Sequence, residues 1–400
     1  MKVNTGIARY LNLGSTSAIR KLSLSLSVLC ALCGGLSAQE WKTAQDGVEY
    51  AQVEHKLGND PIKINLLRLD LKKVRLDVHH ALDKAIGLET TSSIAKRKGA
   101  IAAINAGFFR LDKSEFAGDS AGILQIDGKL LSESNGMRTE ILLGNGRVVT
   151  KVFFARLGIE QQMRIDGELF EKVGVNREQK ENEIVIYTSE FGISSPANAN
   201  GFGCVVVQNR IRECRKQVGG FEIPKNGIVI SASGTYPERL RAKAANGKRV
   251  ELSTLWNAAA TEVHAARIKN TNTWDAVGGV PQLIKNGKID ITWEQEKASK
   301  SFVETRHPRT AVAKLKDGKF LMVTVDGRQP GVSVGMNLYE LADYLLSIGA
   351  VDAMNLDGGG STTMFLDGKV VNTPSDKEGE RKVGDAILVT LRKVQEPPRK

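Results

Sequence analysis

The sequence predicts a strand-rich fold with few helices, on two observations. Six turn dipeptides punctuate the chain: Asp127-Gly128, Asn145-Gly146, Asn226-Gly227, Asn286-Gly287, Asp317-Gly318 and Asp367-Gly368. Each lies between apolar, β-branched runs, the strongest short-range signal for a hairpin. Thr310–Lys316 with Lys319–Val325 is the clearest pair. Helical patterning is confined to two places. Asn337 can cap one helix, with Glu340 three residues on completing a capping box. Leu338, Leu341, Leu345 and Ile348 then form one apolar face, and Gly349 stops it. The other helix covers Thr91 to Lys98, with Lys96, Arg97 and Lys98 at its negative C-terminal end.

Four hundred residues, 41% hydrophobic and 25% charged, have the composition of a globular protein with a sizeable core. Lys2, Arg9, Arg20 and Lys21 precede an apolar and serine-rich run, Leu22 to Leu36, which ends at the small residues Ser37 and Ala38. This is the pattern of a secretory signal peptide, expected over 1–38. An uncleaved anchor is the alternative reading of a run that is short and serine-rich for a membrane span, and no later run is long enough. Neither Cys30 nor Cys33 is placed for lipid attachment. Without 1–38 the charge balance falls from 56 − 45 = +11 to 52 − 45 = +7. A modest, dispersed positive balance suits an anionic substrate or an envelope surface and gives no nucleic-acid patch. The one dense basic segment, Arg239 to Arg249, is broken by Asn246-Gly247 and reads as a solvated turn. The expected organisation is a strand-rich lead-in over 39–89, a main domain over 90–392 and a disordered tail over 393–400, in a secreted or periplasmic protein. Cys204 and Cys214 flank a hairpin around Asn209; they either pair as a disulfide, which export permits, or stay two buried thiols.

Both helices lead into one phrase. Gly99-Ala-Ile-Ala-Ala-Ile-Asn105 and Gly349-Ala-Val-Asp-Ala-Met-Asn355 share Gly-Ala-x-x-Ala-x-Asn. Each reads as helix, glycine stop, buried strand and polar strand end. The expectation is two equivalent units side by side, opening into one cleft, with Asn105 and Asn355 within about 20 Å, several strand spacings.

The chemistry gathers in four places. Met354 to Met364 carries Asp357, then Gly358, Gly359 and Gly360, then Ser361, Thr362 and Thr363. Consecutive glycines are costly in chain entropy and serve backbone that must turn or approach a ligand closely. Asn105 ends an apolar strand, where an amide can both donate and accept. His307-Pro308-Arg309-Thr310 opens the hairpin, and Arg suits a bidentate grip on a phosphodiester. Asp326 and Arg328 follow the apolar run FLMVTV. Two carboxyl groups suit glycosidic hydrolysis, and cations with bare main chain suit phosphate. Asp326, Asp352 and Asp357 offer oxygen ligands for Ca²⁺ or Mg²⁺, without a cage motif. His264 and His307 lack metal-like partners and read as structural or surface residues. Ser361 has no His–Asp relay in sequence.

These residues resemble the phosphodiester glycosidase family, that of the mannose 6-phosphate uncovering enzyme and many exported bacterial proteins. The resemblance is carried by Ile104–Phe109, Val277–Lys288, His307–Val312, Val323–Met336, Asn355–Met364 and Asn372–Val389, and covers roughly 90–392. It implies an α+β fold: a single strand-rich domain with a few helices packed on a mixed sheet, and a surface cavity at strand ends. It implies hydrolysis of a sugar-1-phosphodiester, with Asn105, Arg309, Thr310, Arg328, Gly358, Gly359, Gly360, Ser361 and Thr362 on the substrate and phosphate, and Asp357 or Asp326 as base or nucleophile. Three positions depart from the family pattern: Ala313 for a glycine, Lys382 for a proline and Asp385 for an asparagine. They are expected to alter the outer rim more than the core. Two other functions fit the same residues, a metal-dependent phosphodiesterase cutting P–O and a non-catalytic envelope module that binds a phosphate-linked glycan.

Overall fold

The computed structural model describes residues 40–258 and 274–393. The expected signal peptide, His264 and nearly all of the expected tail lie outside these residues. Among them the fold is strand-dominated, and the α+β expectation of helices on a mixed sheet is overturned. Four sheets of eight, eleven, five and two strands carry the chain. Their pairings are antiparallel except that of Glu168–Val175 with Ile184–Thr188. The physical reason lies in the turns. Chains that reverse through two-residue loops make antiparallel neighbours, and parallel ones need long crossovers. Five of the six turn dipeptides close hairpins; Asp127 and Gly128, at φ 50° and 77°, join Leu124–Ile126 to Lys129–Ser132. Asn226-Gly227 does not, because Gly227–Ala232 pairs with Phe202–Val207 and Ile184–Thr188 instead.

The core is made where sheets face one another. Leu67, Leu69, Val312 and Met322 of the eight-stranded sheet meet Leu76, Ile104 and Ile387 of the five-stranded sheet and Ile141 and Val277 of the eleven-stranded one. The helices cover outer faces. Leu338–Ser347 packs Leu338, Leu341 and Leu345 on the eight-stranded sheet, and its capping box of Asn337 and Glu340 is formed. Thr91–Arg97 is capped by Thr90, and its Ile94 packs against Ala103, Phe365 and Leu388. A further helix, Tyr236–Lys243, takes up the start of the basic segment expected as a turn. There Arg239 lies 4.8 Å above the ring of Phe170, so stacking draws the cation onto the surface rather than leaving it in solvent.

The stretch 40–89 is woven into the same sheets: Asp60–Leu69 pairs with Phe320–Val325, and Val74–His80 with Asp385–Leu391. In the eleven-stranded sheet Cys204 and Cys214 face each other across a hairpin and are joined as a disulfide.

Candidate active site

The two Gly-Ala-x-x-Ala-x-Asn units fold alike. Gly99 and Gly349 stop their helices at φ +66° and +93°, and the strands Ala102–Asn105 and Ala350–Asn355 follow. They belong to different sheets, and their ends meet. Asn105 Nδ2 donates to the carbonyl of Asp357 at 2.7 Å, and Asp357 N to the carbonyl of Ala106 at 2.9 Å. Asp357 is two residues past Asn355, so the two strand ends share one cleft, well inside the 20 Å expected.

One hydrogen-bond chain then ties the separate segments. Asn105 Oδ1 accepts from Thr310 Oγ1 at 2.9 Å and from Thr363 N at 3.0 Å. Thr310 Oγ1 lies 3.4 Å from Thr362 Oγ1. Asn372 Nδ2 donates to the carbonyl of Thr362 at 3.0 Å and to Asp326 Oδ1 at 3.2 Å. Residues more than two hundred positions apart are thereby fixed in one rigid floor. Asn105, Thr310 and Thr362 are sealed within it. Their side chains hold the site together.

The glycine stretch is explained by what lies on it. Gly359 sits at φ +61°, and a Cβ there would come within 3.1 Å of Arg328 Nη2. At Gly360 a Cβ would lie 2.2 Å from both Arg381 Nη2 and Asp376 Oδ1, and at Gly358 2.7 Å from the carbonyl of Pro308. Two guanidiniums therefore rest on bare main chain. Arg381 is held by Asp376 through Nε at 2.7 Å and Nη2 at 3.1 Å. Arg328 is exposed, and among the described residues it has no carboxylate partner; its Nη2 is 3.4 Å from His307 Nδ1. Burial and the neighbouring charges of Arg309 and Arg328 lower the pKa of His307. The imidazole is then neutral, Nδ1 faces a donor, and the ring proton sits on Nε2.

Arg309 is placed differently. It is 1% exposed, with Nε on the carbonyl of Met336 at 2.8 Å and Nη2 on those of Phe302 and Thr305 at 2.8 and 2.7 Å. Burial, then the charge of Arg328, lowers its pKa to about 10.

The carboxyl groups divide as sharply. Asp326 is 1% exposed, with Thr373 N at 3.1 Å from each oxygen; burial raises its pKa against those bonds. Asp357 keeps partial solvent access although packed protein surrounds it, as at the bottom of a hollow. Burial raises its pKa to about 7, against the lowering effects of Ser361, Arg381 and Gly358 N, and Asp385 adds to the rise. The Ser361 hydroxyl is buried and forms no full hydrogen bond. Asp385, expected to matter at the rim, is fully buried beside the centre, and accepts from Gly107 N at 2.6 Å. Of the other departures, Ala313 is buried in the strand Arg309–Leu315 and Lys382 is exposed. Sequence reasoning gave Arg381 no site role and assigned Asp385 to the rim, whereas both adjoin the centre. Both lie in the C-terminal block, where an acid immediately before the apolar run AILV was the available signal for Asp385.

Asp352 turns away from this hollow and accepts from Asn286 N at 3.1 Å. Among the described residues no group of three His, Cys, Asp or Glu side chains is placed to hold a metal, and Asp326, Asp352 and Asp357 are not gathered as one such group. No helix among them is long and apolar enough to cross a membrane.

A partly exposed carboxyl near guanidiniums that rest on bare main chain can pair a base with cations suited to an anionic group. Comparison narrows that chemistry. Residues 203–390 match the model of the phosphodiester glycosidase family. Five of the six motif blocks lie inside the match; Ile104–Phe109 lies before it. The N-acetylglucosamine-1-phosphodiester alpha-N-acetylglucosaminidases of Bos taurus and Homo sapiens are 38% identical to the chain over 109 and 110 residues. Those segments are 25% of this chain and 20% and 21% of the relatives, so the chain matches about a fifth of their length. A hypothetical protein from Synechocystis superposes with a TM-score of 0.72 at 23% identity, over 89% of this chain and 64% of its own. A Burkholderia pseudomallei protein does so at 0.72 and 24%, over 84% and 75%. These two share the fold.

Proposed function

We propose that this chain is an exported phosphodiester glycosidase acting on a phosphate-linked glycan of the envelope. Water attacks the anomeric carbon, the bond from that carbon to the phosphate oxygen breaks, and sugar and a phosphomonoester leave. The observation that carries this reading is Asp357, a partly exposed carboxyl whose pKa burial raises to about 7, near the charge of Arg381 and two residues before Gly359, on which Arg328 rests. A base poised near neutral pH takes a proton from water with useful driving force. Asp357 is assigned that role, or that of nucleophile, in preference to Asp326, whose oxygens are engaged by Thr373 and Asn372. Arg328, without a carboxylate partner among the described residues, neutralises the departing phosphate, together with Arg381. A phosphate leaving group whose charge is neutralised needs little protonation, so one ionisable carboxyl suffices. The relatives' names support a sugar-1-phosphodiester as the substrate class.

Hydrolysis in ¹⁸O-water tests the bond cleaved. Label in the sugar supports the glycosidase, and label in the phosphate identifies a phosphodiesterase. Binding without turnover across a panel of sugar-1-phosphodiesters identifies a binding module.

A further inference from the structure

Beside Asp357 lies a second polar space that the proposed reaction does not use. It is a narrow crevice of about 10 Å³, room for one water-sized group, lined by Gly107, Phe108, Ser120, Arg138, Glu140 and Asp385 among others. Its neighbourhood to Asp357 runs through two consecutive residues: Ala106 O accepts from Asp357 N, and Gly107 N donates to Asp385 Oδ1. Two carboxyl groups reach into the crevice because glycine backs each of them. A Cβ at Gly107 would lie 3.1 Å from Asp385 Oδ2, and one at Gly278 3.0 Å from Glu140 Oε2.

Glu140 comes from the strand Arg138–Asn145, outside every motif that marks the family. It is 1% exposed, and its Oε2 has no hydrogen-bond partner among the described residues. The donors around its neighbour Glu296 are all spent on Glu296: Thr139 N and Oγ1, Gln282 N and Thr292 Oγ1. Burial, and then the charge of Glu296, raises the pKa of Glu140 well above the usual range against the lowering charge of Arg138, and this rise favours the protonated form. A protonated carboxyl without a partner is a donor in search of an acceptor. Asp385 faces it differently. Burial raises its pKa as well, against the charge of His80, so its role rests on geometry: Oδ1 is taken by Gly107, while Oδ2 has only the long 3.4 Å contact from Ser120 Oγ and keeps accepting capacity. One wall of the crevice therefore donates and the other accepts. A sugar hydroxyl does both. Phe108, half-buried in the lining, offers the apolar surface on which a sugar face rests.

We propose that Glu140 and Asp385 are the sugar-recognition pair of this site, receiving one hydroxyl-bearing edge of the sugar, with Glu140 donating to that hydroxyl and Asp385 accepting from it. The proposal rests on the phosphodiester-glycosidase reading for its substrate class. The small crevice takes a hydroxyl or hydroxymethyl group rather than a whole ring, so it selects by a single position.

The test pairs protein and substrate changes. Wild type, Glu140→Leu, which cannot donate, and Asp385→Asn are assayed on α-glucose 1-(methyl phosphate) and its 2-, 3-, 4- and 6-deoxy analogues. Binding of free glucose and the same deoxy sugars is followed in parallel by ligand-observed NMR. Wild type is expected to lose at least about tenfold in kcat/KM on one deoxy analogue, a buried polar pair having lost its partner. Glu140→Leu should lose a similar factor on glucose and little more on that analogue. A merely structural carboxyl would lower every substrate alike, and that result overturns the proposal. If no phosphodiester is turned over, the glycosidase reading fails by itself. The NMR series still decides this one: binding that is sensitive to one deoxy position in wild type but not in Glu140→Leu supports it, and equal sensitivity or no binding overturns it. Should Glu140→Leu not fold, Asp385→Asn carries the same comparison.

Discussion

Asp326 and Asp357 follow the strands Phe320–Val325 and Ala350–Asn355, which flank Arg309–Leu315 on either side. In sequence they look alike, each an acid at the end of a buried apolar run and followed by glycine. Burial raises the pKa of both. They differ in what their oxygens do. Asp326 is closed off and fastens the loop at Asn372 and Thr373. Asp357 accepts few bonds, keeps contact with solvent and lies by two guanidiniums. A carboxyl at a strand end becomes a reagent when its lone pairs are left free, and a fastener when they are not.

The sharpest way to break this contrast is to neutralise each in turn. Asp357→Asn should lower kcat/KM by at least about 10³, the upper part of what a positioned base contributes. Near-wild-type turnover would make Asp357 another fastener. The same variant has a signature in stability. A carboxyl whose folded pKa is about 7 binds more protons folded than unfolded, so wild-type stability falls as pH rises from about 4 to about 7. Asp357→Asn should remove that fall and unfold later in urea at pH 8, by roughly 2–4 kcal/mol. In wild type, kcat/KM should climb through about pH 7 as the base ionises.

Asp326→Asn should act in the opposite sense. The amide leaves one acceptor for Thr373 N and Asn372 Nδ2 and brings a donor against them. A loss of about 1–3 kcal/mol in urea unfolding is expected, with activity reduced about tenfold through the loosened loop. A variant as stable as wild type would show that the loop holds without it. Gly360→Ala should come next, because a methyl there collides with both members of the Arg381–Asp376 pair. About 1–3 kcal/mol of overpacking strain is expected, with an increase in KM for the phosphodiester.

How far these differences could be read in sequence depends on range. Hairpins at Asp127-Gly128 and Asp367-Gly368, the capping box at Asn337 and the paired units ending in Asn105 and Asn355 were legible because local chemistry sets them. The fold class was not. Which face a strand buries, and against which sheet, depends on contacts between residues such as Leu67, Ile104 and Ile141, and no spacing records these. The site divides the same way. The segments that converge were identifiable from strand-end acids, cations and glycines. The use of each side chain was not, because Arg309 and Arg328 are distinguished only by the three carbonyls that one of them meets. Glu140 stood in TEILLG with no motif to mark it, although an acid amid buried aliphatic residues is itself a signal.

The smallest expected effect on activity comes from the disulfide, which sharpens the contrast by probing a region away from the floor of the site. Cys204 and Cys214 enclose a short loop, with a sequence separation of 10, between the strands Phe202–Val207 and Arg210–Lys216. A cross-link over so short a loop removes little freedom from the unfolded chain, about 2–3 kcal/mol. The hydrogen-bond chain from Asp326 to Asp357 runs through Asn372, Thr362, Thr310 and Asn105 and includes neither cysteine. Replacing both cysteines with serine should therefore lower the urea midpoint and leave kcat/KM within about twofold, the behaviour expected of distant, uncoupled positions. A loss of activity larger than the loss of stability explains would show that the eleven-stranded sheet, which also carries Glu140, transmits its packing to the hollow.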